Sequence, residues 1–173
     1  KVVEKLIETA KLKKNHKYSV SKGIFGLREA IAKKYLKNYQ VTLDPNSNVV
    51  NTIGSKEGLT HLLMSVLNPG DKVVVQDPSY PIHHFAPLIA RAEPIKVNCL
   101  DKSNFLTDLN DILKKSKIKL LLISFPHNPT TLTVDQIFYD SLVELAEKYN
   151  FLIVNDFAYS DVYFQVDKPP SLL

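Results

Sequence analysis

The chain has 173 residues, 45% hydrophobic and 23% charged, with a net charge of +4, enough for one domain with a sizeable core. Its lysines are scattered along helix faces and ends (Lys11, Lys13 and Lys14; Lys33 and Lys34; Lys114, Lys115, Lys117 and Lys119) without an interleaved aromatic stripe, which argues against nucleic-acid binding. No apolar run approaches eighteen residues, the N-terminus lacks a signal-peptide layout, and the single Cys99 excludes an intramolecular disulfide; the expectation is a soluble, cytoplasmic protein with no membrane partner.

Residues 2–14 predict a helix with Val2, Val3, Leu6, Ile7 and Ala10 on one face. A polar loop over 15–23, containing Tyr18, ends at Gly23. A second amphipathic helix is expected from Leu27 to Asn38, with Leu27, Ile31, Tyr35 and Leu36 inward. Asp44-Pro45-Asn46-Ser47 is turn chemistry. Asn48–Ile53 reads as a short strand and Lys56–Leu67 as a helix burying Leu59, Leu62, Leu63 and Val66. Then come a strand over 72–76, the stiff Asp77-Pro78-Ser79-Tyr80-Pro81 loop, a helix over 82–92, a strand over 93–97 and a helix over 108–115. Ile118–Phe125 is the longest apolar run and predicts a central strand, broken by Pro126-His127-Asn128-Pro129-Thr130-Thr131. A helix over 135–150 should turn Ile137, Phe138, Leu142, Val143, Ala146 and Tyr149 inward. Phe151–Asn155 reads as a strand buried on both faces, with Asp156 at its end. The alternation of strand and helix, with crossovers long enough for parallel pairing, predicts one α/β domain with a mostly parallel sheet. The chain opens at Lys1 inside a helix and closes at Pro169–Leu173 without a cap, so both ends read as cut.

Polar clusters recur where strands end, which is where open α/β sheets bind ligands. Asp156 in that position is either a solvated turn residue or a cofactor contact. Gly54-Ser55-Lys56-Glu57-Gly58 is either a turn with an N-cap or an anion site at a helix N-terminus. Its spacing is neither a Walker A loop nor Gly-x-Gly-x-x-Gly. Tyr80 on its stiff loop is a platform for a flat ring or a cap on the sheet edge. Asn128, fixed by Pro129, can orient one ring substituent or simply turn the chain. His16, His61, His83, His84 and His127 lack metal-ligand spacing, no zinc or other metal site is expected, and they read as structural or surface residues.

Read in order, Tyr18-x-x-x-x-Gly23-x-x-x-Leu27-Arg28, Gly54-Ser55-Lys56-Glu57-Gly58, Asp77-Pro78-Ser79-Tyr80-Pro81, Asn128-Pro129-Thr130 and Asp156-x-x-Tyr159 resemble the class I/II aminotransferases, fold-type I pyridoxal 5′-phosphate enzymes of the aspartate-aminotransferase group. The resemblance covers nearly the whole chain. It implies a three-layer αβα fold, the large-domain core of that group, and transfer of an amino group from an amino acid to a 2-oxo acid. It also implies a set of roles. Asp156 would pair with the pyridine nitrogen, Tyr159 and Asn128 would hold the ring 3′-oxygen, and Tyr80 would stack on the ring. Ser55 and Lys56 would lie at the phosphate turn, and Tyr18 would cross a homodimer interface to the partner's cofactor phosphate.

Two departures qualify the match. Thr131 stands where the family usually has glycine. The family's Schiff-base lysine lies roughly thirty residues past the ring-nitrogen aspartate, whereas only 17 residues follow Asp156. Lys168, in an Asp167-Lys168-Pro169 turn, is no candidate for it. The expectation is therefore residues 1–173 as a partial large domain, without the small domain, the N-terminal arm or a catalytic lysine, and inactive by itself. Two alternatives keep the fold: another enzyme of the group, such as a carbon–sulfur lyase or cyclopropane-forming synthase, or a non-catalytic effector-binding domain. A third reading takes the clusters as ordinary loops of an unrelated α/β domain. Acidic, alanine-type and diaminopimelate-type amino donors all stay open.

Overall fold

The computed structural model describes residues 1–164 and 168–173; Asp167 of the expected Asp167-Lys168-Pro169 turn lies outside the described residues. The chain divides into two compact units, Lys1–Thr52 and Ile53–Leu173.

The first unit holds helix α1 (Val2–Ala10), a 3₁₀ turn at Lys13–Asn15 and helix α2 (Phe25–Tyr39). It has little apolar core of its own. Val2, Val3, Leu6 and Ile7 are exposed, and so are Leu27 and Leu36, which the helical period had turned inward; α2 buries Arg28 and Ala32 instead. Arg28 is the organising residue. Its Nη1 donates to the Pro45 carbonyl and its Nε to that of Gly23, so a buried guanidinium fastens the 44–48 turn to the start of the helix. Asp44 caps that turn by accepting from Asn46 N and Ser47 Oγ, bonds that hold its carboxyl below the ordinary value. Residues 48–53 form no strand; Asn51 N donates to Lys22 O at 3.1 Å.

Among the described residues, the second unit is built on four strands, β1 (Lys72–Asp77), β2 (Glu93–Asn98), β3 (Leu120–Ile123) and β4 (Leu152–Asn155), all parallel, in the order β2-β1-β3-β4. Alternation divides each inner strand between two faces. Val73, Val75, Leu120 and Leu122 pack with Leu59 and Leu63 of α3 (Ser55–Val66) and with Ala86 of α4 (Pro81–Ile89). Val74, Leu121 and Ile123 pack with Phe105 and Leu109 of α5 (Lys102–Lys115) and with Phe138, Tyr139 and Leu142 of α6 (Gln136–Tyr149). Helices cover both faces, giving the three-layer αβα arrangement. Each fully buried leucine or isoleucine contributes about 1.5–3 kcal/mol.

Local chemistry sets the helix starts. Asp101 accepts from Ser103 N and Asp135 from Phe138 N, both at 2.9 Å, caps worth about 1 kcal/mol each. The face of α6 is turned by one position from the sequence reading: Ile137 and Val143 are exposed and Tyr139 is buried. Leu62 of α3 is exposed as well. β4 is an edge strand here, so Leu152 is exposed and Ile153 and Val154 half-buried, in contrast to the expected strand buried on both faces. Among the described residues, no helix is long and apolar enough to cross a membrane.

Candidate functional site

Because the strands are parallel, the loops that follow β1, β3 and β4 all leave from one edge of the sheet. Tyr80 lies beyond β1, Asn128 beyond β3, and Asp156 and Tyr159 beyond β4. The layer under them is polar and buried: Gln76, His83, Ser124 and His127 are all nearly inaccessible to solvent. A sheet interior does not spend hydrogen-bonding groups in this way without a use for them.

Asp156 is fixed by a residue that the sequence reading set aside. His83 lies in the first turn of α4, whose N-cap is Tyr80 and whose first residue is Pro81. Its side chain is 2% exposed, and its Nε2 is 2.9 Å from Asp156 Oδ2. A carboxylate only accepts, so Nε2 carries the proton of this bond. Asp156 is 18% exposed. The available signal was the spacing: Tyr80-x-x-His83 at a helix start puts a ring and an imidazole on neighbouring positions of one face. The two rings are indeed edge-to-face with centroids 6.0 Å apart.

Asn128 Nδ2 donates to Tyr159 Oη at 2.9 Å, bridging the β3 and β4 loops. Both residues also border a cavity of about 820 Å³ whose other walls include Val134, Tyr163 and Pro170. Asp156 and Tyr80 do not line that cavity. The Asn128 turn is held from below by His127. Its Nδ1 is 2.7 Å from Thr130 Oγ1, and its ring nitrogens are 3.7 and 3.9 Å from Cys99 Sγ. Burial, and next the neighbouring His83, lower the His127 pKa; burial, and next Asp77, push the Cys99 thiol up to about 11. Thr131, the residue that replaces the usual glycine, takes the left-handed conformation at φ 61° and donates its N–H to His127 O. The backbone turn of a glycine is kept, with a β-branched side chain in it.

Ser55 and Lys56 open α3. Gly54 is its N-cap, at φ 92° and without a side-chain cap, while Glu57 reaches back to accept from Ile53 N. No N-cap side chain accepts from the first-turn N–H groups, which are the groups an anion site at a helix start would use. Lys56 Nζ lies 5.2 Å from the Tyr80 ring centroid, and a hydrogen bond that its ammonium donates to the Tyr80 hydroxyl raises its pKa. The structure thus links Ser55-Lys56 to Tyr80, Tyr80 to His83, His83 to Asp156, and Asn128 to Tyr159. Tyr18 belongs to the first unit and is 98% exposed. Among the described residues, no group of three or more His, Cys, Asp or Glu could hold a metal ion.

Known proteins resemble this chain in sequence and fold over almost its entire length. The chain is 41% identical to the glutamate-pyruvate aminotransferase AlaC of Escherichia coli, covering 99% of its own length and 42% of that protein. It is 38% identical to an LL-diaminopimelate aminotransferase of Halothermothrix orenii, at 99% and 45% coverage. The substrate-bound structure of BacF from Bacillus subtilis superposes with a TM-score of 0.90 at 32% identity, again over 99% of this chain and 44% of that one. The chain thus spans less than half the length of the relatives it matches. The family profile described as aminotransferase class I and II matches residues 1–171, and the chain belongs to that family.

Proposed function

We propose that this chain forms the part of a pyridoxal 5′-phosphate site that holds and tunes the cofactor, within an enzyme that moves an amino group from an amino acid to a 2-oxo acid. The observation that carries the proposal is the His83–Asp156 pair beside the Asn128–Tyr159 pair, on adjoining loops of one sheet edge. The donor set suits the group. Asp156 offers a carboxylate oxygen for a protonated ring nitrogen, and Asn128 and Tyr159 offer an amide and a phenol for a ring oxygen. Tyr80 offers an aromatic face, and the α3 N-terminus offers first-turn N–H groups and the Ser55 hydroxyl for a phosphate.

When bound, the cofactor supplies an electron sink for the substrate Cα. The chain's own residues supply what that sink needs. The Asp156 charge holds a proton on the ring nitrogen, and His83, donating from behind, keeps the carboxylate aimed outward. Asn128 and Tyr159 stabilise negative charge on the oxygen they share. The helix N-terminus favours the phosphate dianion by the alignment of its peptide dipoles.

The relatives extend well beyond the matched region. By proposal, the lysine that carries the cofactor and the groups that bind the substrate carboxylate lie outside residues 1–173, which would be a partial large domain. A homodimer in which Tyr18 reaches the partner's cofactor belongs to the same proposal; the exposed apolar residues of α1 support a partner for that unit. A reducing, cytoplasmic setting is consistent with the free, buried Cys99.

The test is an assay of the complete gene product against amino acid and 2-oxo acid pairs. Glutamate with pyruvate and LL-diaminopimelate with 2-oxoglutarate come first, given the names of the relatives. Turnover that disappears in Asp156→Ala supports the reading. Equal turnover in that variant, or none with any pair in the wild type, refutes it.

A further inference from the structure

Where β3 leaves the sheet, its backbone is held by side chains instead of strands. The last paired residues are Leu122, beside Val75 of β1, and Ile123, beside Asn155 of β4. The two following amides would be orphaned in a buried layer. Ser124 N donates to Gln76 Oε1 at 2.7 Å, and Phe125 N donates to Asn155 Oδ1 at 3.3 Å. Gln76, Ser124 and Phe125 are each at most 2% exposed. The Asn155 amide is itself anchored, since Nδ2 donates to Tyr139 Oη of α6 at 3.2 Å.

We infer that Gln76 and Asn155 are positioning residues for the Asn128–Tyr159 pair, with Asn155 coupling that pair to Asp156. The inference rests on the reading of Asn128, Tyr159 and Asp156 as the residues that hold the ring. Only Pro126 and His127 separate Phe125 from Asn128, and neither is free to absorb a shift. Proline fixes its own φ, while His127 N donates to Leu132 O, its carbonyl accepts from Thr131 N, and its ring meets Thr130 Oγ1. A movement of Phe125 is therefore passed on to Asn128. On the other strand, Asn155 is the covalent neighbour of Asp156, whose N–H is bound to Ile123 O at 2.8 Å. One amide side chain thus sets the offset between the two arms of the site, and Gln76 braces the same turn from the opposite strand. An apolar residue at either position would satisfy the packing but leave a buried N–H unpaired and the turn free to relax.

The experiment follows the Asn128 side-chain amide in ¹H–¹⁵N spectra of the ¹⁵N-labelled chain, assigned by its loss in Asn128→Asp. Asn155→Leu and Gln76→Met are compared with Leu109→Ala, a truncation in α5 within the core cluster that also holds Phe125, which lowers the melting temperature and removes no hydrogen bond to the turn. The Asn128 amide signals are expected to move in Asn155→Leu and Gln76→Met and to stay in place in Leu109→Ala. The affinity of the first two for added pyridoxal 5′-phosphate is expected to fall about tenfold. Tyr139→Phe, which removes the hydroxyl that accepts from the Asn155 amide, is expected to move the same signals less, and it decides the matter alone if the other two do not fold. Unmoved Asn128 signals in the folded variants, or equal movement in Leu109→Ala, would overturn the inference. Signals that move while the wild type shows no cofactor binding uphold the positioning role and refute the cofactor reading.

Discussion

Replacing His83 by leucine tests whether the pair behind the site holds Asp156 in place. The substitution keeps the buried volume and removes one donor, so no cavity forms and the loss reports on the bond. Hydrogen bonds to charged groups contribute about 1.5–3 kcal/mol. Asp156 retains 18% exposure, so water replaces part of the lost bond and the lower end applies. The expected cost is about 1.5 kcal/mol, or a fall in Tm of about 3–6 °C for a chain of this size. The assay is a double-mutant cycle of wild type, His83→Leu, Asp156→Ala and the double variant. It is read by native-state hydrogen exchange at Leu121 and Leu122, whose amides report on opening of the second unit alone. A coupling of about 1–1.5 kcal/mol is predicted. Additive losses, with coupling below about 0.5 kcal/mol, would show that His83 packs against Asp156 without holding it.

Thr131→Gly is expected to stabilise the chain by about 0.5–1 kcal/mol, since a left-handed non-glycine residue costs about 1–2 kcal/mol and glycine returns part of that gain as chain entropy; a lower Tm would contradict this. Gly23→Ala is expected to disrupt the first unit, because Gly23 sits at φ 82° and a Cβ there would lie 2.4 Å from Asn51 Nδ2; the check is loss of exchange protection at the α2 amides. Cys99, with its thiol raised to about 11, will resist iodoacetamide at pH 8 in the native chain and react once unfolded. Its raised value also means that stability falls as pH climbs from about 9 to 11, where only the unfolded thiol ionises readily. His127 runs the other way on the acid side. Its folded pKa is depressed, so the unfolded state binds the proton first. Stability is full above about pH 6.5 and declines as pH falls below it, a slope that His127→Leu should reduce in melts taken across pH 5–8.

The layered fold was legible because its strongest signals are local. Leu120–Ile123 is a short continuous apolar run bounded by polar residues, the pattern of a strand covered on both faces. The failures have physical causes. Residues 48–53 carry the β-branched Val49, Val50, Thr52 and Ile53, but a strand exists only with a partner, and local composition does not report whether one lies alongside. In α6, Ile137, Phe138 and Tyr139 are three consecutive hydrophobic residues, so the helical period fits two phases a residue apart; the aromatic cluster with Phe105 and Phe125 selects the one that buries Phe138 and Tyr139. Of the candidate site, the residues that end strands could be read from position and chemistry. The groups beneath them could not. His83, Gln76 and Asn155 act through partners 73, 48 and 30 residues away, and no spacing rule spans such distances. Tyr80-x-x-His83 was the one local hint.

The most direct measurement is a titration of the chain with pyridoxal 5′-phosphate, followed by absorbance, for wild type, Asp156→Ala and Asn128→Ala. The account predicts weak, saturable binding that is lost on dialysis, and an affinity at least tenfold lower in Asp156→Ala, the consequence of losing a charge-assisted bond of about 1.5–3 kcal/mol. Identical affinity in the wild type and both variants, or an absorbance band that survives dialysis, would contradict it.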